Sequence, residues 1–228
     1  MSLLRSWNCI KRCRFSHQNG KNFNINQALL PPISLHITLK MIADVFSKAA
    51  VLALAAVASA SPVSVEARDI EAREHDDFKN QMLAAHNWYR GQHSAAPLQW
   101  DNNLANNAHA WAARCSENPR HQPNDPHGEN IAWGGGWSSS YGWANLWGHE
   151  RTQYNFNQPG FNGNTGHFTQ LVWKSTKRVG CGWAKCAYGN NVVCEYDPAG
   201  NIVGNNNKYF KDNVGRQTKG NPNDQYHP

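Results

Sequence analysis

Apolar positions along this chain change period repeatedly, and each change marks an element. Phe78, Met82, Ala85 and Tyr89 recur at intervals of four, three and four, the stripe of one helix face, and predict a helix from about Asp77 to Arg90 that Gly91 ends. A second helix is expected after Asp101, whose carboxylate suits an N-cap, with Leu104, Ala108, Trp111, Ala112 and Cys115 on one face. Gly134 to Gly136 should break the chain before a third helix that carries Trp143, Leu146 and Trp147 and sets Glu150 on their face. Beyond a polar loop from Asn155 to Gly166, the spacing of Phe168, Leu171 and Val172 predicts another helical turn or two, ending near Ser175. The period then becomes two: Val179, Cys181 and Trp183 alternate, as do Val192, Cys194 and Tyr196, with Gly189-Asn190-Asn191 as the turn of a β-hairpin. Helices followed by paired strands imply an α/β sandwich on a mainly antiparallel sheet.

The region before Phe78 reads differently. Residues 1–40 sustain no hydrophobic period and are read as a gene-model extension, the alternative being a disordered or transit-type leader. Met41 opens a signal-peptide pattern over 41–60, with Lys48, an apolar run from Ala49 to Val57 too short to span a bilayer, and the small residues Ala58-Ser59-Ala60. Residues 61–77 are charged, with Glu-Ala-Arg twice, and read as a linker or short propeptide. Residues 78–215 have the size of one domain, leaving 216–228 as a C-terminal tail. The expected product is secreted and extracellular, without a transmembrane segment in its mature form.

Charge narrows the partners. The chain holds 22 Lys and Arg against 16 Asp and Glu, but seven of those bases and one acid precede Ser61, leaving 15 of each afterwards. Phosphate binding needs a local surplus of Lys and Arg, so no nucleic-acid partner is expected. Of six cysteines, Cys115, Cys181, Cys186 and Cys194 follow the signal. An even number in an oxidising compartment predicts two disulfides, with three connectivities open. Cys181 and Cys194 lie on strands expected to pair and Cys115 faces inward from its helix, which favours 181 with 194 and 115 with 186. The spacing lacks the paired short intervals of a structural zinc site.

Five blocks carry a resemblance: His86-Asn87-Trp88-Tyr89-Arg90; Pro97-Leu98-Gln99-Trp100-Asp101 with Leu104; Gly128-Glu129-Asn130-Ile131-Ala132; Gly166-His167-Phe168-Thr169-Gln170 with Trp173; and Val193 to Asn201. Together and in this order they resemble the CAP superfamily, the cysteine-rich secretory, antigen 5 and pathogenesis-related 1 proteins. The resemblance implies a three-layer α-β-α sandwich with a mainly antiparallel central sheet, secretion, and a cleft holding two histidines and two glutamates. Carried onto this chain, that tetrad is His121, Glu129, Glu150 and His167, with His127 as the alternative first histidine. Such a donor set suits a divalent metal, zinc or magnesium. His86 and Arg90 are read instead as fixing the first helix against its neighbours.

Three function classes follow. Tyr154, Phe156 and Phe161 form an aromatic-x-aromatic-x₄-aromatic loop similar to the sterol-binding loop of secreted fungal CAP proteins, which points to a sterol or other small lipid as ligand. The other reading of these rings is as anchors that pin a long loop to the core. An enzyme would have to be a metal-dependent hydrolase with Glu129 or Glu150 as base: there is no Gly-x-Ser-x-Gly elbow, and Gln153 stands where His149-Glu150 would need a second histidine to make a zinc-protease motif. The third class is a ligand-free extracellular scaffold recognised by a host or cell-surface protein.

Overall fold

A computed structural model describes residues 62–135 and 139–228, so the expected signal peptide and everything before it lie outside the described residues, as does Gly136. The described chain falls into two units, 62–72 and 73–228; apart from the first residues of α1, the architecture below is that of the second.

Helix α1 runs from Pro62 to Gln92, well before the expected start at Asp77. The segment read as a linker is therefore helical. Its Glu, Ala and Arg residues are good helix formers, and proline is tolerated at a first helical position because its missing N–H has no intrahelical acceptor there. Its described side chains are exposed up to Asp77, and burial begins at Phe78, continuing through Met82, Ala85 and Tyr89. The stripe thus marks where the helix meets the core rather than where it begins. Gly91 lies inside the last turn instead of ending it.

Strand β1 (Gln99–Trp100) leads into α2 (Asn102–Ala112), capped by Asp101, whose side chain accepts from the backbone N–H groups of Asn103 and Leu104. Strand β2 (Gly128–Gly134) follows, then α3 (Tyr141–His149), a 3-10 turn (Glu150–Thr152), α4 (Gly166–Leu171), β3 (Arg178–Cys186), β4 (Gly189–Asp197), a 3-10 turn (Asn205–Asn207) and α5 (Lys208–Asn213). The sheet order is β1-β3-β4-β2, with β2 and β3 both antiparallel to β4 and β1 parallel to β3. Cys186 pairs with Gly189, so the hairpin turns at Ala187-Tyr188, two residues before the expected place. Gly189, at φ +111°, begins the returning strand.

Register sorts the two faces. Val179 opposite Tyr196, Cys181 opposite Cys194 and Trp183 opposite Val192 share one face and join the main core with Phe78, Met82, Tyr89, Trp147, Phe168 and Trp173. On the other face, α2 packs Ala108 and Ala112 on Ile131 and Val193. It can lie close because Gly180 and Gly182 face it: a Cβ on either would collide with α2 backbone at Ala105 or His109. The result is a helix-sheet-helix sandwich with a mainly antiparallel sheet. Disulfides join Cys115 to Cys186 and Cys181 to Cys194, the second directly across β3 and β4.

Two close approaches fix α3. A Cβ on Gly148 would fall within the Tyr89 ring, so glycine lets α3 rest on α1. Arg151, almost fully buried, donates to Gln92 Oε1 and to the carbonyls of Pro222, Asn221 and Asp224. Tyr226 packs on the core, and its N–H and carbonyl both bond to Asn145, so the segment read as a tail is part of the domain's packing.

Candidate functional site

The sequence-derived tetrad is arranged as two histidine-glutamate pairs. His121, on the loop before β2, donates from Nδ1 to Glu129 Oε1 at 2.6 Å, and the Gln122 N–H adds a bond at 3.1 Å. Glu129 opens β2. Glu150, just past α3, accepts from His167 Nδ1 at 2.6 Å and from the backbone N–H groups of His167 at 3.0 Å and Phe168 at 3.1 Å. This carboxylate therefore caps the first turn of α4 from another element, where the helix dipole favours negative charge. Trp147 stacks on His167 at 6.1 Å, and Asn130 donates to the His167 carbonyl. Among the described residues, no three of the four tetrad side chains bring ligand atoms within 4.8 Å of one another. His127, the alternative first histidine, lies beside Asp125 and Glu195 rather than Glu129.

The aromatic loop is half core and half surface. Tyr154 is buried, while Phe156 and Phe161 are half-buried and pack against the main core. Phe156 meets Tyr154 edge-on at 4.8 Å, stacks on His93 at 6.0 Å, and lies 5.9 Å beneath the Arg216 guanidinium. Two buried polar atoms of this cluster, Tyr154 Oη and His93 Nε2, have no hydrogen-bond partner. Burial raises the Tyr154 pKa, and the Gly160 amide, outside hydrogen-bond geometry, opposes the rise.

Behind the loop and the pairs lies a buried polar network on α1. His86 donates from Nδ1 to the Met82 carbonyl at 2.7 Å, which leaves Nε2 to accept from Tyr196 Oη at 2.8 Å. Desolvation lowers its pKa to about 4 against the Met82 bond, with help from the Arg90 charge, so the ring is neutral. Arg90 donates only to carbonyls, those of Ala96, Leu171, Trp173 and Thr176, and desolvation lowers its pKa to about 10, still charged at neutral pH. Both hold α1 to the segments that carry His167 and the sheet. His93 and Asn130, which touch the aromatic loop and the His167 backbone, had no pattern of their own in the sequence. Asn130 had only the signal of its place in Gly-Glu-Asn.

The model of the cysteine-rich secretory protein family matches residues 83–196, a span that includes both histidine-glutamate pairs and the aromatic loop. The chain belongs to the CAP family. This CAP domain is 40% identical over 143 residues to the Golgi-associated plant pathogenesis-related protein 1 of Homo sapiens, covering 60% of this chain and 92% of that protein. It is 38% identical over 129 residues to pathogenesis-related protein 1 of Arabidopsis thaliana, covering 56% and 80%. It is 35% identical over 170 residues to secreted protein RBT4 of Candida albicans, covering 70% of this chain but 46% of that protein. Among solved structures, the crystal structure of NaASP2 with Zn2+ superposes with a TM-score of 0.51 at 23% identity, covering 63% of this chain and 87% of that one, a likeness of fold. No helix among the described residues is long and apolar enough to cross a membrane.

Proposed function

We propose that this CAP domain is a secreted binder of a small lipid, a sterol first of all, held by the loop from Tyr154 to Phe161, and that the histidine-glutamate pairs hold a divalent ion separately. One observation carries the lipid reading. Half-buried Phe156 packs on Tyr154 and His93, whose Oη and Nε2 are buried polar atoms without a partner, and half-buried Phe161 lies further along the same loop. Leaving such an atom unpaired costs about 1–3 kcal/mol. A sterol is a flat apolar ring system with one hydroxyl, the complement of aromatic faces and one or two orphan polar atoms.

The ion reading rests on the donor set. A carboxylate on each Nδ1 fixes the imidazole and directs Nε2 as the ligating atom, the arrangement that commonly supports metal-bound histidine. Imidazole nitrogens favour zinc over magnesium. Secretion is supported by the signal pattern over 41–60, by the two disulfides and by kinship to a protein named as secreted.

The test is competition binding with labelled cholesterol. Burying a phenyl ring contributes roughly 1.5–3 kcal/mol, so Phe156→Ala with Phe161→Ala should weaken binding at least ~100-fold. Because Phe156 packs on His93 and Phe168, its truncation also costs stability, and Phe156→Leu with Phe161→Ala keeps most of that packing. Lost affinity in a variant with an unchanged thermal midpoint supports the loop as the site. Unaltered affinity in either folded variant eliminates it, and lost stability alone assigns the rings to the core.

A further inference from the structure

Outside the two histidine-glutamate pairs, the described residues contain a group able to offer ligand atoms within 4.8 Å of one another: Asp125 and His127, on the loop entering β2, and Glu195 of β4. A second such group, His86 with Cys181 and Cys194, has its sulfurs bonded to each other. In the first group, His127 Nδ1 lies 2.7 Å from Asp125 Oδ1 and 3.6 Å from Glu195 Oε2.

Several features mark this group as a prepared site. The Glu195 side chain is fully buried and that of Asp125 is 6% exposed, while His127 at 28% opens towards solvent. Asn107 of α2 spans the two carboxylates, its Nδ2 donating to Asp125 Oδ2 at 2.9 Å and to Glu195 Oε1 and Oε2 at 2.7 and 2.9 Å. One amide group has two hydrogens for these three oxygens, so it bridges the two carboxylates and orients them. The His127 backbone N–H bonds to Asp125 Oδ1, which ties the loop into the same arrangement. His127 Nδ1 itself is buried and without a hydrogen-bond partner: although 2.7 Å from Asp125 Oδ1, it is not aligned for a bond. A buried ring nitrogen set between two carboxylates gives this group the mixed nitrogen and oxygen donors that suit a divalent cation.

Charge points the same way. The sheet register sets Glu129 directly opposite Glu195, so negative charges converge beneath α2. Burial first, and then the charges of Asp125 and Glu129 against the Asn107 bond, push the Glu195 pKa up to about 7. A buried carboxylate among other carboxylates is costly unless a positive charge joins it.

We propose that Asp125, His127 and Glu195 form a divalent-cation site of zinc type, distinct from the His121–Glu129 and His167–Glu150 pairs, with Asn107 as the positioning residue for its carboxylates. One nitrogen and two oxygens leave a fourth position to water from the exposed side of His127. A tetrahedral zinc with bonds near ~2.1 Å spaces its ligand atoms about 3.4 Å apart. The 3.6 Å separation fits that spacing, and the 2.7 Å one opens as the ion enters. The amide of Asn107 plays the part of an outer-shell partner that fixes ligand orientation.

The test is zinc titration of the purified protein, followed by calorimetry and by ¹⁵N NMR of the histidine rings, on wild type, on Asp125→Asn with His127→Gln, on His167→Ala, and on all three changes together. The Asp125→Asn, His127→Gln variant should lose one equivalent of zinc in either background, and the His127 ring signals of wild type should shift on addition of zinc. The site does not depend on the tetrad reading: if the tetrad binds nothing, His167→Ala leaves uptake unchanged while the His127 signals still move. If the double variant does not fold, the wild-type His127 signals alone decide. Unmoved His127 signals, or wild-type stoichiometry and affinity in a folded double variant, overturn the proposal.

Discussion

Two sets of histidines in this domain meet opposite kinds of neighbour. His86 and His93, both fully buried, donate to backbone carbonyls, those of Met82 and Gly215, with an arginine charge near each. His121 and His167 each face a carboxylate at 2.6 Å and keep some exposure. The first kind is held neutral and serves as a rigid polar peg in the core. The second is held by a group that can accept a proton or help seat a cation. The residue type is the same, so the difference in role comes from what the fold places against the ring.

The largest effect should come from the core side. Arg90→Met removes the donor from four carbonyls at once, and an unsatisfied buried acceptor costs about 1–3 kcal/mol. Urea unfolding of the oxidised protein should show a loss of at least ~4 kcal/mol. A loss below ~1 kcal/mol would mean that water replaces the guanidinium and that the network is not structural.

Acidification should act next. His86 and His93 each have a folded pKa of about 4, below the ordinary histidine value of 6.5, chiefly through desolvation. Their contribution to stability is complete above pH 6.5 and falls as pH drops towards 4, because the unfolded chain then binds protons that the folded one refuses. Each histidine can supply a slope of up to about 1.4 kcal/mol per pH unit. Denaturant midpoints at pH 7, 6 and 5 should decline, and less steeply in His93→Phe. A flat profile would show that these rings are hydrated.

A smaller effect distinguishes the two carboxylate pairs. Glu150→Gln weakens three N–H bonds, two of them to the first turn of α4, and should cost about 1–2 kcal/mol, in the range of lost helix caps. Glu129→Gln should cost less, since its partner His121 is 24% exposed against 11% for His167. Thermal midpoints of the two variants give the comparison, and equal losses would remove the capping role assigned to Glu150.

Much of the fold was legible where burial has one period. The stripe on α1, the Asp101 cap and the β3–β4 pairing all left regular patterns, and alternation was enough to place Cys181 opposite Cys194. Strand β2 left none, because Asn130, Ile131 and Ala132 are all buried in succession, and β1 is only two residues long. The start of α1 was placed too late, near Asp77, because a helix can persist on intrinsic propensity without an apolar face. The tetrad residues were nameable through their motifs, but their grouping in pairs depends on a loop and a helix terminus. Asp125, His127 and Glu195 were not seen as a group because sheet register, not sequence spacing, unites them.

Gly148 carries a consequence for how this domain can vary over generations. Every amino-acid replacement of a glycine adds at least a methyl group, and here the methyl has nowhere to go but the Tyr89 ring. Codon drift that is harmless in the exposed stretch of α1 is therefore closed at this position, just two residues before the carboxylate that caps α4. A lineage can rewrite the exposed stretch of α1 freely, while Gly148 and Tyr89 can change only in concert.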